Sequence, residues 1–259
     1  MAPLALDPGA LAAAVPGFFW PLCRIAGTLA LLPGIGGGEV PVRVRVGLAV
    51  LLTVLLVPTL PPPPAVDPLS AAGVLVTASE IATGVAGALV ILVAFNAVTL
   101  AGESIAVTMG LGFAITVDPK NGVQVPTVSQ FYLLMATLLF FALDGHHAVL
   151  SLLAGSFTVL PVGAGIDDGA IRTLLFFAAT MFAGALGVAL PALAAMLATN
   201  IAMGVISRAA PQLNLFSIGF PITLLVGFVA LLLTLPAFAE SVTGLFADAI
   251  ETLSLLFER

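Results

Sequence analysis

Between Arg172 and Arg208 the chain carries no charged side chain. That stretch is longer than the roughly 20 apolar residues that a helix needs to cross a bilayer. The whole chain follows the same trend, with 61% hydrophobic and 8% charged residues, whereas soluble domains carry about 25% charged residues. A soluble fold could not bury so much apolar surface. The sequence therefore predicts an all-α integral membrane protein, because helices satisfy their own backbone polar groups in lipid.

Six apolar segments are long enough to be predicted as kinked membrane helices or helical hairpins. They cover about 11–33, 46–60, 69–100, 127–160, 171–206 and 213–239. Asp144-Gly145-His146-His147 interrupts the fourth segment, which predicts two half-length helices there. Pro191 and Pro221 are expected to kink the last two segments. The remaining residues, 240–259, alternate apolar and acidic side chains and predict a short amphipathic helix.

The few basic residues indicate an orientation. Arg43, Arg45, Lys120 and Arg208 follow the first, third and fifth segments. Cytoplasmic connections are enriched in Lys and Arg. We therefore expect six crossings, with both termini outside.

The central stretch Ala101–Gly122 is apolar but interrupted by glycines. Gly102, Gly110 and Gly112 disfavour a continuous helix. Non-helical backbone at membrane depth is tolerated only where protein buries it or where it lines a water-filled cavity. The segment is therefore expected to line or block a path through the protein.

Three ionisable residues lie in or beside apolar segments, namely Arg24, Glu80 and Glu103. Such residues are functional candidates by default. Arg24 could equally snorkel to the membrane surface or pair with a neighbouring subunit. Glu80 and Glu103 are far apart along the chain, and no series of such groups suggests a proton relay.

Catalytic, cofactor and metal sites are not expected. His146 and His147 are adjacent, so on a helix they point about 100° apart. The glycines at 34–38 lack the lysine of a phosphate-binding loop. Cys23 is the only cysteine, which excludes an internal disulfide. The net charge of -6, without a basic stripe, gives no indication of nucleic-acid binding.

The stretch from Asn200 to Gly227, NIAMGVISRAAPQLNLFSIGFPITLLVG, closely resembles the signature of the FliR family, the flagellar type III export-gate proteins. Further blocks are similar to the same family. They are Phe19-Trp20-Pro21-Leu22 with Arg24, Val40-Pro41-Val42-Arg43, the stretch from Ala101 to Pro119, Gly145-His146, and Leu160-Pro161-Val162-Gly163. The resemblance thus extends over nearly the whole chain.

This resemblance implies a non-enzymatic channel subunit in the bacterial inner membrane, within the flagellar basal body. One copy is expected to assemble with five FliP-like and four FliQ-like subunits, with an FlhB homologue around the entrance. Unfolded flagellar proteins would pass through the channel. Residues 1–165 would form a FliP-like part and residues 166–259 a FliQ-like part of a single export-gate domain.

The resemblance also implies two sets of site residues. The family's central loop, matching about 106–122, forms a plug, and its candidate residues here are Met109, Gly110, Leu111, Gly112, Phe113 and Ile115. Candidates for packing against FliQ-like neighbours are Arg208, Pro211, Gln212, Phe216, Gly219, Phe220 and Pro221. Ordinary helix packing is the alternative for the apolar plug residues.

Three other functions remain open at this point. Virulence injectisomes carry a homologous export subunit. A stand-alone secondary transporter would show an inverted repeat, and no convincing repeat is found. A membrane scaffold would differ from a channel subunit only in whether residues 106–122 face a lumen.

Overall fold

The computed structural model describes residues 8–38, 40–111, 127–210 and 215–258. Within these ranges the chain is helical and contains no strand, as the sequence predicts. The α-helices are α1 (Pro8–Leu31), α2 (Val42–Leu56), α3 (Ala71–Thr108), α4 (Thr127–Ala142), α5 (Gly145–Val159), α6 (Asp168–Ala209) and α7 (Leu215–Phe257), and a short 3-10 helix covers Val57–Thr59. The all-α membrane fold is therefore confirmed.

Several helices are long enough to cross a membrane. Among the described residues, four stretches meet the length and apolarity that a span requires, Val42–Thr59, Ala71–Thr108, Asp168–Ala209 and Gly219–Phe257. A fifth span results if α4 and α5 form one broken crossing. Val15–Leu31 of α1 is also apolar, but taken by itself it is below this length. By length alone the structure thus provides four or five spans, where the sequence predicts six.

The last predicted segment and the tail form one helix. α7 continues through Pro236 to Phe257, so the prediction of a separate amphipathic tail helix is wrong. The reason lies in the spacing of its buried residues, which recur every three or four positions as on one helix face. These are Val242, Phe246, Ala249, Leu253 and Leu256. The charged Glu240, Asp248 and Glu251 are exposed, and they interrupt the apolar pattern without ending the helix.

Two predicted interruptions occur where the sequence places them. After α1, Gly34 and Gly37 adopt left-handed backbone conformations with φ of 80° and 71°. Asp144 separates α4 from α5 with a φ of 55°, which is rare for a non-glycine residue. The expected two half-length helices in the fourth segment are thus confirmed.

The described residues belong to two compact units. The first comprises Met1–Val93, Asp144–Ala178 and Asp248–Arg259, and the second Ala94–Leu143 and Ala179–Ala247. In the first unit, α1 and α3 approach each other closely at Gly84. A Cβ atom at Gly84 would lie 2.0 Å from the backbone oxygen of Arg24. Trp20 is fully buried and donates a 3.2 Å hydrogen bond from Nε1 to the Thr77 hydroxyl.

The second unit has an aromatic core. The rings of Phe95, Phe140 and Phe246 have centroids 5.1 to 5.5 Å apart, distances at which aromatic pairs attract beyond simple burial. α3 and α4 approach closely at Gly102, where a Cβ atom would lie 2.6 Å from the Cα of Ser129. Gly102 therefore permits helix packing within α3 and does not break the helix.

The Gly84 contact generates a stability prediction. We expect Gly84→Ala to destabilise the protein by about 1–3 kcal/mol, because the added methyl group must displace rigid backbone of α1. Gly155→Ala is the matched control, since a Cβ atom at Gly155 meets nothing within 4 Å. Fluorescence-detected size-exclusion chromatography of the tagged, detergent-extracted protein after heating would compare them. Equal melting temperatures for the two variants would contradict the close approach.

Candidate functional site

A buried ion pair joins α1 and α3 in the first unit. Arg24 donates from Nε to Glu80 Oε2 at 2.8 Å and from Nη2 to Glu80 Oε1 at 3.0 Å. Both side chains are fully buried. The paired, parallel geometry is the strongest arrangement that a guanidinium and a carboxylate can form.

Neighbouring groups make further hydrogen bonds with Arg24 and Glu80. Arg24 donates from Nη1 to the Ser156 hydroxyl and from Nη2 to the backbone oxygen of Leu160, each at 3.0 Å. Glu80 Oε1 also accepts a 3.0 Å hydrogen bond from the backbone N–H of Gly163. The Arg24 guanidinium carbon lies 4.3 Å from the centroid of the Phe157 ring, within cation–π range.

We refer to this network as the clamp, because it joins several elements of the first unit. Removing charges from water is costly unless both are paired and hydrogen-bonded, and here the two groups are. The clamp connects α1, α3, α5 and the loop that follows α5. Arg24 therefore pairs inside its own chain and neither snorkels to the surface nor binds a neighbouring subunit.

The third ionisable candidate lies elsewhere. Glu103 is half-buried on α3 and belongs to the second unit, whereas Arg24 and Glu80 belong to the first. It is not part of the clamp. Among the described residues, the three candidates therefore do not form one site.

The predicted interruption of the central stretch falls at Gly110. α3 ends at Thr108, and Gly110 has a φ of 84°. Backbone N–H groups of Gly110 and Leu111 donate to the oxygens of Val107 and Ala106, each at 3.0 Å. These two bonds around a left-handed glycine form a Schellman motif, a common helix C-terminus.

The residues after α3 contact α7 within the second unit. Met109 is fully buried, and a Cβ atom at Gly227 would lie 2.5 Å from its Cε. The Thr223 hydroxyl lies 3.4 Å from the backbone oxygen of Met109. A Cβ atom at Gly110 would lie 3.3 Å from the Phe220 ring. Three residues of α7 thus contact Met109 and Gly110, directly after the end of α3.

An apolar cavity of about 430 Å³ lies beside this contact. Its walls come from Leu111, from the beginning of α4 and from α7. The lining residues are Leu111, Thr127, Val128, Phe131, Phe228, Leu231, Leu232 and Leu235. Leu111 and Thr127, which precede and follow residues 112–126 in the chain, both line this cavity.

The other predicted plug and packing residues are placed only in part. Gly112, Phe113, Ile115, Pro211 and Gln212 lie outside the described residues, as does the side chain of Phe216. Arg208 is exposed in the last turn of α6. Gly219 is buried, whereas Phe220 and Pro221 are exposed on α7. Their role in subunit packing stays a prediction.

Asp144, His146 and His147 lie together at the start of α5. Their nearest ligand atoms are within 4.8 Å of one another, and His147 Nδ1 lies 3.0 Å from Asp144 Oδ1. The three residues offer at most three ligands, one fewer than a closed structural zinc site has. The cluster is better described as an exposed Asp–His contact next to the helix break.

Sequence reasoning missed the partners of three predicted residues. Glu80 as the partner of Arg24 could have been inferred, because each is a lone charge in an apolar segment. No such indication exists for Ser156, because uncharged polar residues are common in membrane helices. None exists for Gly163 either, which contributes only its backbone N–H. Gly227 closes the family-like stretch that begins at Asn200, yet nothing in that pattern indicates Met109 as its contact.

Comparison with known proteins agrees with the fold. The profile of the family described as "Bacterial export proteins, family 1" matches residues 15–249. The "Flagellar biosynthetic protein FliR" of Pectobacterium carotovorum subsp. carotovorum is 39% identical over 93% of this chain and 92% of its own length. Proteins of the same name are 34% identical in Escherichia coli (strain K12), over 92% of this chain and 91% of theirs, and 28% identical in Bacillus subtilis (strain 168), over 92% and 93%.

The long apolar helices and the matching profile define an all-helical, multi-pass membrane protein of the bacterial export class. Within that class the chain belongs to the FliR family, because the similarity covers nearly the full length of both chains. It is a component of the flagellar export apparatus and not an enzyme. The resemblance that the sequence blocks indicate is therefore confirmed.

The clamp in the first unit generates a prediction about charge burial. Arg24→Met leaves Glu80 buried without its partner, and removing one member of such a pair costs about 3–5 kcal/mol. We expect the double variant Arg24→Met, Glu80→Met to be more stable than either single variant, because it leaves no unpaired charge. Thermal stability of the detergent-extracted protein would measure this. Strictly additive losses would contradict the coupling of the two side chains.

Proposed function

We propose that this chain is a structural subunit of the flagellar type III protein export gate. The observation that carries the proposal is the family match over residues 15–249, together with flagellar relatives of full length. The partners we propose are FliP and FliQ homologues, in the ratio of one copy to five and four, and an FlhB homologue. The gate would lie in the inner membrane and pass unfolded flagellar proteins.

The exposed surface of α6 supports assembly with other proteins. Large apolar side chains are exposed along this helix in the second unit, among them Phe182, Leu186, Leu197 and Ile201. Contiguous exposed apolar surface marks a contact with membrane or with another protein. In an assembled gate, partner subunits would cover part of this surface.

We also propose that residues 109–116 act as a plug in the closed gate. Support comes from the Schellman ending of α3, which stops the helix before this segment, and from the apolar residues that follow. An apolar plug would block water and ions at rest, and a passing polypeptide could displace it. The division into a FliP-like part, 1–165, and a FliQ-like part, 166–259, belongs to the same proposal.

The flagellar branch is favoured over the injectisome branch because the relatives named above are flagellar biosynthetic proteins. A discrete complex of several subunits on blue-native gels, containing this chain with FliP and FliQ homologues, is the expected result. A monomer or dimer under mild extraction would overturn the assembly proposal.

The plug proposal leads to a conductance prediction. Deleting residues 112–116 keeps Met109–Leu111 on α7 and removes the proposed seal. We expect an assembled complex with increased leakage of ions and small molecules, measured in cells or in planar bilayers. Assembly is checked on the same blue-native gel. Unchanged conductance in an assembled complex would show that the segment is not a plug.

The exposed face of α6 leads to a cross-linking prediction. A photoreactive amino acid at Leu186 or Leu197, both exposed, is expected to form adducts with FliP or FliQ homologues in the assembled gate. The fully buried Met196 is the matched control and should give no adduct with another chain. Adducts with lipid alone at both exposed positions would contradict a protein-covered face.

A further inference from the structure

The Met109 side chain packs closely against α7 at Gly227. The Met109 side chain fills the space beside Gly227, where a Cβ atom would lie 2.5 Å from Cε, 2.6 Å from Cγ and 2.9 Å from Sδ. These distances are shorter than real Cβ atoms show. Any residue larger than glycine at 227 must therefore displace Met109.

A second constraint acts on the next residue. Gly110 turns the chain in the left-handed conformation that favours glycine. The Phe220 ring lies close to the position that a Gly110 side chain would take. The left-handed backbone of Gly110 and the nearby Phe220 ring therefore both disfavour a side chain at position 110. Together the two contacts determine where the chain leaves α3.

The buried state of Met109 separates it from the residues that follow. A fully buried side chain cannot also project into a lumen. Its thioether is flexible and polarizable, and it suits a contact that must hold yet tolerate small shifts. Met109 thus anchors the residues that follow α3. The residue that it contacts, Gly227, lies on α7, more than a hundred residues later in the chain.

We propose that Met109 and Gly227 are a positioning pair. Their contact holds the residues directly after α3 against α7 and thereby positions the plug in the closed gate. The inference rests on the proposed plug role of residues 109–116, within which it assigns Met109 to the attachment of the plug and the later residues to the seal. It assigns Gly227 to the seating of the segment, a position that the candidate plug and packing residues did not include. Neither residue is proposed to contact the exported polypeptide.

Disulfide trapping tests the contact independently of export. The Cγ of Met109 marks the place where a cysteine sulfur would lie, 2.6 Å from a Cβ atom at 227, which is within disulfide reach. In a Cys23→Ser background, the pair Met109→Cys and Gly227→Cys should cross-link in the assembled gate on mild oxidation. Met109→Cys with Gly244→Cys is the control, since a Cβ atom at 244, on the same helix as Gly227, meets nothing within 4 Å. Absence of the first cross-link in an assembled complex would overturn the proposal.

A size exchange tests the consequence for the gate. Gly227→Ala should unseat Met109 and increase ion leakage about fivefold or more, which corresponds to the lower range of overpacking costs. Adding Met109→Ala removes the side chain that collides with the new methyl group and should return leakage to within about twofold of the unchanged gate. Gly244→Ala, on the same helix, is the control, since a Cβ atom at 244 meets nothing within 4 Å, and it should leave leakage unchanged.

The outcomes separate the two proposals. If Met109→Ala fails to reverse the leakage of Gly227→Ala, the positioning pair is refuted. If the cross-link forms but the gate lacking residues 112–116 does not leak, the plug role fails while the contact on α7 stands. If Gly227→Ala prevents assembly, the disulfide pair still decides whether the two residues touch.

Discussion

The bidentate contact between Arg24 and Glu80 is the interaction on which the first unit depends. It places two opposite charges where both side chains are fully buried, and α5 and its following loop stabilise them with three further hydrogen bonds. Movement of any one of these elements would leave a charge without a partner. The pair therefore fixes the mutual register of α1, α3 and α5 far more sharply than apolar packing would, since apolar contacts are non-directional.

The second unit is held by a different principle. Its helices pack through aromatic rings and through glycines that allow backbones or side chains to approach. Small residues at helix contacts are typical of membrane proteins, in which burial of apolar groups from water gives little driving force. The same principle operates at the end of α3, where Gly227 admits Met109. Tight steric fit thus does in this unit what charge pairing does in the first.

The fold class, the membrane character and most helix positions could be predicted from the sequence, because long apolar stretches and left-handed glycines act locally. The continuity of α7 through Pro236 could not, since acidic residues on its exposed face resemble a boundary when only the linear pattern is read. Arg24 and Glu80 could be selected as candidates from their apolar surroundings. The contacts that complete the clamp, and the fit of Met109 against Gly227, depend on tertiary packing between distant segments, which no local pattern reports.

The order of the clamp's members along the chain has a consequence for biosynthesis. Glu80 follows Arg24 by 56 residues, and Leu160 follows it by 136. At about 5–20 residues per second, a ribosome needs about 3–11 s to deliver the carboxylate and about 7–27 s to deliver the last carbonyl. Until Glu80 has been made, the nascent chain carries an unneutralised guanidinium in an apolar helix. The contacts that hold α1 in the first unit are therefore complete only after α3 and α5 have been synthesised.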